Sequence, residues 1–77
     1  MTKYIISSPD FDSFAEACVS SGAFRRSGSS LFSKIGPASV SDSEGEEDQY
    51  AGNWVLICNG LTDAQKQQFN IITEQEV

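Results

Sequence analysis

Five carboxylates stand within seven residues of one another: Asp42, Glu44, Glu46, Glu47 and Asp48. Such a run can hold a cation, supply paired acids and bases, or present negative charge to a partner. A calcium loop needs alternating acidic residues ahead of a glycine and a bidentate glutamate at the twelfth position. Asp42-Ser43-Glu44-Gly45 keeps a fragment of that spacing and lacks the rest. Glycoside-type chemistry needs two carboxylates fixed across a cleft by rigid elements, whereas these crowd into one polar stretch. Charge presentation remains: a patch that engages Lys and Arg on a partner, imitates a phosphate backbone and speeds association by steering. The plainer use of the same run is a solvated loop that provides solubility alone. Tyr50 and Trp54 flank it, and both residue types are favoured as interface anchors. Trp54 is expected in the core and Tyr50 at the surface contact.

The other residues that carry chemistry are few. The chain has no histidine, which removes the commonest general base, metal ligand and pH switch together. Cys18 and Cys58 read as small core residues. A catalytic thiol needs an activating base, and none is at hand; oxidising conditions could join the pair. Arg25, Arg26 and Lys34 hold most of the positive charge. They either form a small anion patch or pair with nearby carboxylates at ~0–1 kcal/mol each. Ser41 and Ser43 precede acidic residues, the context of an acid-directed kinase. No glycine-rich dinucleotide fingerprint, P-loop or paired-cysteine motif occurs. No cofactor is implied.

The chain has 77 residues, enough for one domain. A chain of this size buries little more than ~60% of its unfolded surface, so a thin core is expected, without room for both a scaffold and a deep pocket of the usual ~300–1,000 Å³. Hydrophobic residues at 39% and charged residues at 21% describe a chain that folds. Eleven acidic residues against five basic ones leave a net charge of −6. That surface repels polyanions, so nucleic acid and anionic membranes are not the expected partners. A protein with a basic surface is. No apolar run approaches the ~20 residues of a membrane span. Two cysteines and no leader-like segment point to the cytoplasm, with reduced thiols.

The elements that position these residues follow from local signals. Lys3–Ser7 reads as a strand. Ser8 is expected to cap a helix over residues 9–21, with Pro9 in its first position and Gly22 as its stop. Phe11, Phe14, Ala15 and Cys18 form its inward stripe. A strand region spans Leu31–Ser41, broken at Gly36-Pro37. Residues 42–49 form a flexible acidic loop unable to pack. Trp54-Val55-Leu56-Ile57-Cys58 reads as a central strand. Thr62 and Gln65 make a capping box before a helix over 63–69, and Ile71–Thr73 is the last strand. The order βαββαβ predicts a ferredoxin-like α+β fold, a four-stranded antiparallel sheet with both helices on one face. The alternative is a looser α+β meander in which residues 23–35 form their own hairpin around Ser27-Gly28.

Length, acidity and the segment Pro9-Asp10-Phe11-Asp12-Ser13-Phe14 resemble small phage-encoded host-takeover proteins of the anti-CRISPR type. That resemblance implies a viral, non-enzymatic, stoichiometric inhibitor, whose acidic face occupies a basic nucleic-acid-binding surface in the host cytoplasm, as a monomer or homodimer. The competing expectation is a small phage structural or assembly accessory protein. The residues assigned to partner binding are Asp42, Glu44, Glu46, Glu47, Asp48 and Tyr50.

Overall fold

The computed structural model describes Met1–Val77. Its elements in chain order are β1 (Thr2–Ile6), α1 (Phe11–Ser20), β2 (Phe24–Ser27), β3 (Ser30–Ser33), β4 (Ala38–Asp42), β5 (Trp54–Cys58), α2 (Asp63–Lys66) and β6 (Ile71–Glu76). Four strands make one antiparallel sheet in the order β4-β5-β1-β6, and β2 and β3 pair separately as a hairpin.

β5 is central, as its five apolar residues predict. Tyr4 lies opposite Leu56, and Ile6 opposite Trp54. Side chains alternate across a sheet, so Tyr4, Ile6, Leu56 and Cys58 share one face. There they meet Phe14 and Cys18 of α1, with Leu61 and Phe69 on either side of α2, in one buried cluster. The Tyr4 hydroxyl accepts a 2.8 Å hydrogen bond from the buried Leu61 N–H. This bond fixes the start of the β5–α2 connection on the sheet.

Ser8 does not cap α1. Asp10 does: its Oδ1 accepts from the Ser13 N–H at 2.7 Å, and its backbone is extended. Asp is as good a cap as Ser, and this choice leaves Pro9 outside the helix, which begins at Phe11. Gly22 follows the helix at φ +80°, the left-handed stop its position predicts.

The Leu31–Ser41 region divides into two strands in different sheets. Gly36 takes φ +101°, and a Cβ there would come 2.5 Å from Asn59 Nδ2. That nitrogen donates to the Ile35 carbonyl at 3.2 Å, so the turn needs glycine both for its backbone and for space. The first half folds back on β2, giving the hairpin around Ser27-Gly28. Four-stranded sheet and separate hairpin therefore coexist.

The capping box is present, with Thr62 Oγ1 accepting from Gln65 N–H and Gln65 Oε1 accepting from Thr62 N–H. The helix ends at Lys66 instead of residue 69. Gln68 and Phe69 donate to carbonyls three residues back, a tightening common at helix ends, and Phe69 is buried. β6 continues past Thr73 to Glu76 because β1 offers a ladder partner down to Thr2. The Met1 ammonium pairs with Glu76 at 3.0 Å.

The sheet's second face is also covered. Ile5 and Val55 oppose each other in register and are 1% and 4% exposed. Lys3, on the same face, pairs with Glu46, so the acidic segment folds over this side.

Replacing Tyr4 with Phe leaves the Leu61 N–H buried without an acceptor. The expected loss is about 1–3 kcal/mol in urea unfolding, with an unchanged denaturant slope. Unaltered stability would show that the Tyr4 bond contributes nothing.

Candidate functional site

The acidic segment is built on a closed base. Ser43 is 1% exposed. Its N–H donates to the Asn53 carbonyl at 3.0 Å, and its Oγ accepts from the Asn53 N–H at 2.9 Å. The β4–β5 ladder is thereby carried one pair beyond the strands, and the hydroxyl of Ser43 faces inward. Asp42 Oδ1 accepts from the Glu44 N–H at 3.0 Å. A single 3-10 turn covers Asp48–Tyr50. The Tyr50 carbonyl accepts from Asn53 Nδ2 at 2.7 Å.

Two residues of this polar run, Ser43 and Glu46, pack against the fold, and the other six of residues 42–49 are exposed. The reason is that backbone and small polar side chains satisfy one another, and Lys3 supplies a countercharge. Lys3 Nζ lies 2.7 Å from Glu46, with the two side chains only 21% and 24% exposed. Glu46 is thus committed to the fold. Asp42, Glu44, Glu47 and Asp48 are exposed, and no cation pairs with them. Glu47 Oε2 accepts only from Gln49 Nε2, at 2.8 Å. Tyr50 is half-buried. No three His, Cys, Asp or Glu side chains converge as a metal site would require.

Trp54 is half-buried rather than fully in the core. It stacks on Phe14 with centroids 5.5 Å apart and meets Phe11 edge-on at 5.4 Å. Two open clefts meet at its indole. One, of about 380 Å³, runs between the β2–β3 hairpin and β4, lined by Phe11, Phe24, Leu31, Phe32 and Val40 among others. The second, of about 430 Å³, is walled by Pro9, Asp10, Asp42, Glu44 and Asn53. Both clefts lie open at the surface, so neither is the deep pocket for which so short a chain is expected to lack room. The separate hairpin stands off the sheet and creates a groove that the four-stranded core alone would not have.

The basic residues do not gather into an anion patch. Arg26 pairs with Asp12 and lies over the Phe11 ring at 5.3 Å. Arg25 lies over Phe32 at 5.4 Å. The Arg26 contacts brace the hairpin against α1, and the Arg25 contact ties β2 to β3 within it. Cys18 and Cys58 are free and buried. Burial, then the neighbouring Cys58, pushes the Cys18 thiol from the usual 9.0 up to about 12. Burial also raises Cys58, opposed by a hydrogen bond from the Gly60 backbone. Neither is poised as a nucleophile.

Sequence reasoning missed Asp10 as part of the acidic wall. Its signal was present: an Asp three residues before Ser13 at a helix start places its carboxylate at the mouth of that helix. The grooved hairpin carried no comparable signal.

No family model, curated protein or solved structure matches the chain.

A thiol that ionises more readily when unfolded lowers stability at high pH. Stability should hold below pH 9 and decline as pH rises from the usual Cys18 value of 9.0 towards about 12. Comparing Cys18→Ala with the parent by denaturant titration checks this. Parallel pH profiles would remove Cys18 as the cause.

Proposed function

We propose that this chain acts by binding rather than by catalysis, as a small acidic inhibitor that occupies a basic, nucleic-acid-binding surface of a partner protein. The observation that carries this reading is the division of charge. Three of the five Lys and Arg side chains are held in internal ion pairs. Asp42, Glu44, Glu47 and Asp48 stand exposed without one. Of the seven side-chain carboxylates without an ion pair, four lie on this one segment, which Ser43, Asn53 and Lys3 anchor, and the others are the scattered Asp10, Glu16 and Asp63. Preformed charge steers a basic partner without a large ordering cost. The anti-CRISPR-type resemblance of Pro9–Phe14 suits this role, and so does a viral origin.

The strand order supports reading the large sheet as ferredoxin-like, with the β2–β3 hairpin inserted into its first crossover. Two buried free thiols suit a reducing cytoplasm. No helix is long and apolar enough to cross a membrane. The working form is a monomer or homodimer whose partner is a protein, not nucleic acid or lipid.

Capture from host lysate at low and high salt tests the reading. Changing Asp42 and Asp48 to Asn together with Glu44 and Glu47 to Gln should reduce capture of a basic partner at least ~10-fold and flatten its salt dependence. Glu46→Gln alone should leave capture nearly unchanged. Equal capture by the quadruple variant and the parent would overturn the electrostatic mechanism.

A further inference from the structure

The two edges of the large sheet are guarded very differently. On β6, Glu74 and Glu76 stand in ion pairs with Lys66 and the Met1 ammonium. β4 presents Ala38, Ser39, Val40 and Ser41, with no charge until Asp42 and no proline inside the strand. Edges are normally blunted by charge, proline or a bulge. β4 pairs with β5 alone, so its alternate backbone N–H and C=O groups face outward.

Beside that edge lies the apolar groove of about 380 Å³. Phe32, 47% exposed, forms part of its wall. Ala38, Val40 and Asp42 project on one face of β4 because side chains alternate. Ala38 and Val40 line the groove, and Asp42 lines the acidic cleft beyond Trp54, with Asp10 and Glu44. Apolar and anionic subsites thus follow one another along a single strand, two residues apart.

We propose that the free edge of β4 binds an extended, basic segment of a partner protein as a fifth strand, seating an apolar side chain over Val40 and an Arg or Lys two residues away at Asp42. The proposal rests on the reading of this protein as a binder of basic partners and narrows it to a chain conformation and a side-chain spacing. An added strand repeats the two-residue period of β4, so its same-face side chains align with Val40 and Asp42. Backbone pairing supplies affinity, and the alternate side chains supply selectivity. The carboxylate of Asp42 suits the guanidinium fork. A second copy of this chain does not complement the cleft. It has the same net charge of −6 and no Lys or Arg within Ala38–Asp42.

The test uses the full chain and a fluorescein-labelled peptide of about ten residues, alternating Thr and Val, with one Leu and one Arg two positions apart. Saturable anisotropy is expected, with amide shifts at Ala38–Asp42 and at the Trp54 indole. Exchanging Arg for Glu in the peptide should weaken binding at least ~10-fold. N-methylating alternate peptide amides should weaken it similarly, by ~10-fold or more. Asp42→Lys should reverse the preference towards the Glu peptide. Absence of saturable binding, shifts confined to residues 44–48, or indifference to N-methylation would each overturn the proposal. So would concentration-dependent broadening of the β4 amides without peptide, which assigns the edge to a second copy. If the neutral quadruple variant loses its lysate partner while no peptide binds, the strand proposal fails and charge-driven binding stands. If the peptide binds β4 while capture ignores the acidic residues, the strand proposal stands and charge-driven binding fails.

Discussion

A sheet has two faces, and a chain of 77 residues has little to cover them with. That constraint shapes this protein. α1 and the residues flanking α2 close one face over Tyr4, Ile6, Leu56 and Cys58. The other face still carries Ile5 and Val55, both buried. The segment between β4 and β5 is held over it through Lys3 and Glu46. The most polar stretch of the sequence is therefore also a structural one. Ser43 and Glu46 anchor it, and Asp42, Glu44, Glu47 and Asp48 stand exposed beside those anchors.

The same economy explains the clefts. The ten-residue buried cluster is too small to draw every element inward. The β2–β3 hairpin contributes Phe24 to it and leaves Phe32 outside. Arg26 holds the hairpin to α1 through Phe11 and Asp12, and Arg25 ties its two strands through Phe32. The gap between hairpin and β4 is what remains, with Trp54 as its floor and as the divide between apolar and acidic halves.

Where one local rule dominates, the sequence was readable. The Phe11–Cys18 stripe, the Thr62–Gln65 box and the central β5 all behave as their spacing dictates. Where two local rules compete, it was not. Ser8 and Asp10 are both good caps, and the side-chain bond from the Ser13 N–H goes to Asp10, a choice that no local pattern distinguishes. Glu46 differs from Glu44 and Glu47 only in tertiary placement, so no local pattern could single it out as the partner of Lys3. The clefts depend on how far a hairpin stands from a sheet edge, a distance set by long-range contacts that periodicity does not encode.

The backbone ends are bound side by side: the Val77 N–H donates to the Met1 carbonyl at 2.8 Å, on strands that pair along their length. This corner belongs to β1 and β6, and β5 and β1 separate β6 from β4. Polypeptide fused at either terminus would leave from that far edge. A short linker could join the two ends and new ones be cut at the Ser27-Gly28 turn, where domains tolerate circular permutation. Such a rewired chain would keep every ladder of the large sheet.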